Sequence, residues 1–105
     1  MAFTDSHRRS ASFGIVTNLP DDIIDSIWFI IDHFLKHVFE LEEELDFQLL
    51  NNKGAITFRF SSKHLPTMID FDFSHPYEPL YPPRVIVLDM DGKETILLPE
   101  ENDLY

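Results

Sequence analysis

The sequence predicts an α+β domain: a single antiparallel sheet of about five to six strands with one long amphipathic helix packed on one face. Three observations predict it. Residues 20–39 repeat their apolar positions at a helical period, and residues 45–98 fall into short runs that alternate apolar and polar. Turn signals at Asn51-Asn52-Lys53-Gly54 and Asp91-Gly92 separate those runs at hairpin spacing. A lone helix among consecutive strands has to bury its apolar stripe on the sheet they form.

Residues 1–10 are polar and without period, so they are expected to form a flexible N-terminal tail ahead of a single domain at 11–101 and a C-terminal tail at 102–105. The stretch RRSAS at 8–12 has the pattern of a basophilic kinase substrate, a short pattern that chance produces often. Residues 11–17 (ASFGIVT) have the β-branched and aromatic content of a short strand, with Gly14 at a bulge or a close backbone approach. Asn18-Leu19-Pro20-Asp21 then reads as a helix start. Asn accepts bonds from orphan N–H groups, Pro suits the first turn, and Asp21 and Asp22 meet the positive end of the dipole.

Wound at about 100° per residue, Ile23, Ile24, Ile27, Trp28, Ile30, Ile31, Phe34, Leu35, Val38 and Phe39 fall on one half of the helix. Asp25, Ser26, Asp32, His33, Lys36 and His37 fall on the other, and Phe29 alone breaks into that polar half. Trp28 is therefore expected to lie buried between helix and sheet. The acidic run at 40–46 opposes the negative end of the dipole and places the helix end near Phe39.

Two alternating runs follow at 45–51 and 55–61, with Phe47, Leu49, Ile56, Phe58 and Phe60 on the core side and Asp46, Gln48, Thr57 and Arg59 facing out. Residues 67–73 put Ile69, Phe71 and Phe73 on one face and Met68, Asp70 and Asp72 on the other. Residues 74–83 hold four of the seven prolines, with Tyr77 and Tyr81 among them, and read as an irregular loop. A last hairpin joins 84–90 to 94–98, and Pro99 ends it before a short acidic tail.

At 105 residues the chain makes one domain, able to bury roughly 60–65% of its unfolded surface. A hydrophobic share of 44%, with ten Phe, is too rich in core material for a disordered chain. The absence of cysteine excludes disulfides, thiolate nucleophiles and Cys-based zinc sites. Nineteen acids against eight Lys and Arg give a net charge of −11, and the bases are scattered apart from Arg8-Arg9. That argues against direct binding of nucleic-acid phosphates, which draws on clustered bases. The longest uncharged apolar run, 26–31, is far short of the ~20 residues that span a bilayer, and the first residues lack the apolar segment of a secretion signal. A cytosolic protein without a membrane partner is the expectation.

The run SFGIVTNLPDDIIDSIWFIIDHF at 12–34, the acidic link and LDF strand after it, and the terminal ILLPEE resemble a small uncharacterised family of low-GC Gram-positive bacteria, a staphylococcal-type family of unknown function. The resemblance covers most of residues 11–101. It implies one domain in a bacterial cytosol and carries no catalytic or ligand residue.

Candidate constellations are few. His33 and His37 have the i, i+4 spacing of a metal pair, but no glutamate stands beside the first and Lys36 lies next to the second, so no metal site is expected. Asp70 and Asp72 share a strand face about 7 Å apart, yet only His75 lies nearby, and a solvent-facing acidic strand is the simpler account. No serine sits in a nucleophile motif, and Asp91-Gly92-Lys93 is a turn with one glycine, too few to cradle a phosphate.

Better candidates are Phe29 and the proline-framed Tyr77, Leu80 and Tyr81, since rigid aromatic surfaces supply binding hot spots. The expected function is thus a non-enzymatic protein-interaction module with no cofactor, a partner outside the sequence's reach, and a weak homodimer through Phe29 as the simplest contact. The alternative is an acidic decoy of a basic nucleic-acid-binding protein, using Asp25, Asp32, Glu40, Glu42, Glu43 and Asp46 as phosphate mimics. A small hydrolase comes third.

Overall fold

Six strands and one principal helix make up the computed structural model, which describes residues 8–36, 41, 43–62 and 68–104. In chain order these are β1 (Arg8–Ala11), α1 (Phe13–Asn18), α2 (Asp21–Ile30) continuing into a π-helical turn (Ile31–Leu35), β2 (Glu44–Asn52), β3 (Ala55–Ser61), β4 (Ile69–Pro76), β5 (Arg84–Met90) and β6 (Lys93–Leu97). A 3-10 helix at Pro99–Leu104 follows. The sheet order is β1-β6-β5-β2-β3-β4. The α+β class with a helix on one sheet face holds. One pair departs from the antiparallel rule, because β1 runs parallel to β6. The whole domain intervenes between those two strands, so no turn signal marks the pairing.

Both hairpins form as read. Lys53-Gly54 and Asp91-Gly92 have positive φ at both central positions, as a two-residue turn between twisted strands requires. Asn51 Oδ1 and Asp89 Oδ1 each accept a bond at 2.8 Å from the turn glycine's N–H. On the covered face, Leu45, Phe47, Leu49, Ile56, Phe58, Phe60, Val85, Val87 and Ile96 meet Ile23, Ile24, Ile27, Ile30, Ile31 and Leu35 from the helix. Thr57 faces away from the helix as expected but is buried, covered by Asp72.

Several expectations are corrected. The segment at 11–17 is not a strand. The strand lies earlier, at Arg8–Ala11, inside the segment read as tail, and residues 13–18 wind into α1. The cause is Ser12, whose hydroxyl accepts from the Ile15 N–H and starts a helix that local β-propensity opposed. Ile15 alone among these residues then faces the core, while Phe13 and Val16 stay exposed. Gly14 is a close approach without a bulge: a Cβ there would sit 2.7 Å from Leu98 Cδ1. Asn18 is not the cap of α2. It ends α1, donating to the Gly14 carbonyl at 2.7 Å, and Pro20 caps α2 without a side-chain bond. Ser26, placed on the polar half, is buried and donates back to the Asp22 carbonyl.

The π turn has the largest consequence. Lys36 N–H reaches back five residues to Ile31 O, so residues 31–35 turn by only about 80° each. Leu35 swings to the centre of the buried stripe and Phe34, expected inside, swings out to the flank, where it is 44% exposed. Trp28 is also not fully buried. It packs against the core at its margin and carries the Arg9 guanidinium 4.6 Å above its ring.

At the other end of the domain, β4 continues through Pro76 and takes three residues from the expected loop. The expected C-terminal acidic tail includes the 3-10 helix, where Glu101 accepts bonds from Ser12 Oγ, Gly14 N–H and Leu98 N–H. Burial works to raise the Glu101 pKa, but those three donors outweigh it and hold the carboxyl below its ordinary value. Among the described residues no helix is long and apolar enough to cross a membrane.

Candidate functional site

Along the seam between α2 and the edge strand β4, aromatic rings form one connected patch. Phe29 lies tilted against His33 one helical turn on, with ring centroids 4.3 Å apart, and meets Phe34 and Phe73 edge-on at 5.9 and 6.5 Å. Phe34 in turn lies 5.3 Å from Phe71, and Phe73 sits between Phe58 below it and His75 beside it. Periodicity alone places Phe29 beyond reach of its own domain. The structure corrects this: Phe29 packs on β4 through Phe73 while remaining 46% exposed.

The seam runs on into the proline loop. His75 Nδ1 lies 3.4 Å from Asp22 Oδ2 in the first turn of α2. Tyr77 and Tyr81 pack edge-on at 6.1 Å against each other and onto the core margin, and the Tyr77 N–H donates to Gly54 O. Burial raises the Tyr81 pKa, with the nearby Glu78 and Asp22 charges adding to it. Phe29 is thus joined through Phe73 to His75 and Asp22, and Tyr81 lies near enough to feel the Asp22 charge. Leu80 is different. It is 90% exposed and lines a separate groove of about 500 Å³ with Asn18, Tyr81, Pro82, Pro83, Arg84, Leu98, Pro99 and Glu100.

The other sequence candidates do not assemble into a site. His33 is exposed beside Phe29, and His37 lies outside the described residues. Asp70 is gripped by both ends of Arg59 at 2.8 and 3.1 Å, and Asp72 accepts from Thr57 at 2.6 Å, while His75 turns toward Asp22. Arg59 holds the Asp70 pKa below its ordinary value. Of the kinase-like stretch, Ser10 lies against Thr95 and Ser12 is buried. Among the described residues no three His, Asp or Glu side chains converge as metal ligands.

One constellation went unread in the sequence. Arg9 on β1 joins Asp32 of the helix, at 2.7 Å from Nη1, and Glu94 of β6, at 3.0 Å from Nε, while Lys36 reaches Asp32 at 3.1 Å. The Arg9 hydrogen bonds, aided by Lys36, hold the Asp32 carboxyl well below its ordinary 3.8, at about 2, against the opposing effect of burial. Strand alternation contained part of the signal, since Glu94 is two residues from core-facing Ile96 and so shares its face.

A solved structure described as a protein of unknown function from Enterococcus faecalis superposes with a TM-score of 0.88 at 45% identity, covering 90% of this chain and 89% of that one. Curated proteins give no match. The family model for the staphylococcal protein of unknown function, DUF960, matches residues 8–101, which span β1 through the start of the 3-10 helix, and the chain belongs to that family.

Proposed function

We propose that this chain is a non-enzymatic protein-interaction module of the bacterial cytosol, and that its partner docks on the aromatic seam of Phe29, Phe34, Phe71 and Phe73. One observation carries the reading. Phe29 and Phe34 keep nearly half their surface open although each is held in place edge-on or tilted against other rings. Pre-ordered aromatic surface gives up little side-chain entropy on binding, which is the property of interface hot spots. Tyr77 and Tyr81 add aromatic surface beyond the seam, and Leu80 offers a second anchor in the separate groove. A chain without cysteine suits a reducing compartment.

The decoy alternative gains no support from the geometry. Asp25 and Asp32 lie on the helix, and Asp46 lies on the opposite sheet face. Asp32 and Asp46 are already paired, the latter with Arg84 at 2.6 Å. Glu40 and Glu42 are outside the described residues. To test the proposal, immobilised wild type, the Phe29→Ser/Phe34→Ser variant and a Met90→Ser control on the uncovered sheet face are used to capture proteins from lysate of a cell that encodes this family. A protein held by wild type and control but released by the seam variant supports it. Identical captures by all three, with folding verified by urea titration, refute it.

A further inference from the structure

We infer that the open edge of β4 pairs with an extended basic segment of the partner, one that alternates Lys or Arg with aromatic or β-branched residues. This inference rests on the interaction-module reading and names what occupies the seam. β4 is the outermost strand on its side, and among the described residues no strand lies beyond it. Among the described residues nothing pairs with the backbone donors and acceptors of its outer edge, which form the template for adding a strand. Because side chains alternate, an added strand meets two different rows. On the helix side its residues run beside Phe71 and Phe73, with Phe29 and Phe34 behind them. On the uncovered side they run beside Asp70 and Asp72.

Charge selects the occupant. Asp70 and Asp72 flank the seam on the strand, and the exposed Asp22 and Asp25 flank it on the helix. Among the described residues Arg59 offsets Asp70, which leaves Asp72, Asp22 and Asp25 as the acids of this corner, and the chain as a whole carries −11. A second copy is the wrong occupant. Antiparallel pairing of β4 with itself, both helices on one side and centred on Phe71, sets Asp70 of each copy across from Asp72 of the other, and two chains of −11 repel in any register. Asp72, held among the described residues only by the neutral Thr57 hydroxyl, and the Asp22 and Asp25 carboxylates form favourable pairs with Lys or Arg, so repulsion and attraction together define specificity. A dimer formed edge to edge through β4 is the occupant this disfavours.

The test uses the intact chain and three capped peptides of nine residues: one alternating Lys with Val and Phe, one with Glu in place of every Lys, and the Lys peptide with a central Pro. Amide and aromatic resonances are followed by NMR during titration. The Lys peptide is expected to shift the amides of residues 69–74 and the Phe29 and Phe34 rings saturably, and to bind more weakly as salt rises. The Glu and Pro peptides should bind at least about tenfold more weakly, and Asp70→Asn/Asp72→Asn should weaken the Lys peptide about fivefold. Equal binding of the Lys and Glu peptides, shifts spread over the acidic surface without β4, or no saturation at millimolar peptide would each overturn the inference. Concentration-dependent shifts on β4 without peptide would overturn it in favour of a second copy. If the peptides fail while Phe29→Ser/Phe34→Ser still releases a captured protein, the module stands with another mode of docking; if capture is also indifferent, both fall.

Discussion

Replacing Asp32 by Asn removes the charge that ties the helix to β1 and should make stability less dependent on acid. In the folded chain Asp32 accepts from both ends of Arg9 and from Lys36, and its pKa falls from 3.8 to about 2. At about 1.4 kcal/mol per pKa unit this amounts to about 2 kcal/mol. The carboxylate keeps 35% of its side-chain surface open, so solvent screening reduces the figure to about 1 kcal/mol. A depressed folded pKa gives stability that is fully present above the unfolded value. It is lost as pH falls through the folded value. The wild type should therefore exceed Asp32→Asn by about 1 kcal/mol at pH 7, with the gap unchanged down to about pH 5 and roughly half gone at pH 3. Urea titrations of both proteins at pH 7, 5, 4 and 3 measure the gap directly, because the other carboxylates titrate in both. A gap as large at pH 3 as at pH 7 would show that packing, and not the ion pairs, accounts for the effect.

Three further outcomes are expected. Trp28→Ala should lower stability by about 2–3 kcal/mol by urea unfolding, less than the 3–5 typical of a fully buried ring, since Trp28 sits at the core margin beneath Arg9. Glu101→Ala strips the acceptor shared by Ser12, Gly14 and Leu98, so it should cost about 1–2 kcal/mol and speed hydrogen exchange at the Gly14 and Leu98 amides. Gly54→Ala meets open space but must hold a φ of +92°, which should cost about 1 kcal/mol in thermal or urea denaturation; no loss would mean that the turn relaxes.

How much was legible in the sequence follows the range of the interactions involved. The hairpins β2–β3 and β5–β6 were readable because a Gly-containing turn and a period of two are local, and both act within a few residues. The helix entry at Pro20, the buried row of Ile23, Ile27, Ile30 and Ile31, and the family membership were readable for the same reason. The α1 segment was misread because a cap at Ser12 overrode the β-propensity of Phe13, Ile15 and Val16, and that cap is fastened from the far end of the chain by Glu101. The parallel β1–β6 pair joins the two ends of the chain, where no turn records the meeting.

Of the candidate residues, Phe29, Tyr77, Leu80 and Tyr81 were named from type and position, but only the tertiary structure joined Phe29 through Phe73 to His75, paired the two tyrosines and sent Leu80 to a separate groove. Phe34 entered the seam through a single π turn, invisible to a count made at 3.6 residues per turn. The sequence by itself determined the class of fold, its covered face and its acidic surface, since these are sums over local patterns and composition. Which rings meet, which strand is left open and which acids are paired depended on how distant segments stack, because each of those contacts takes its energy from partners that the local chain does not contain.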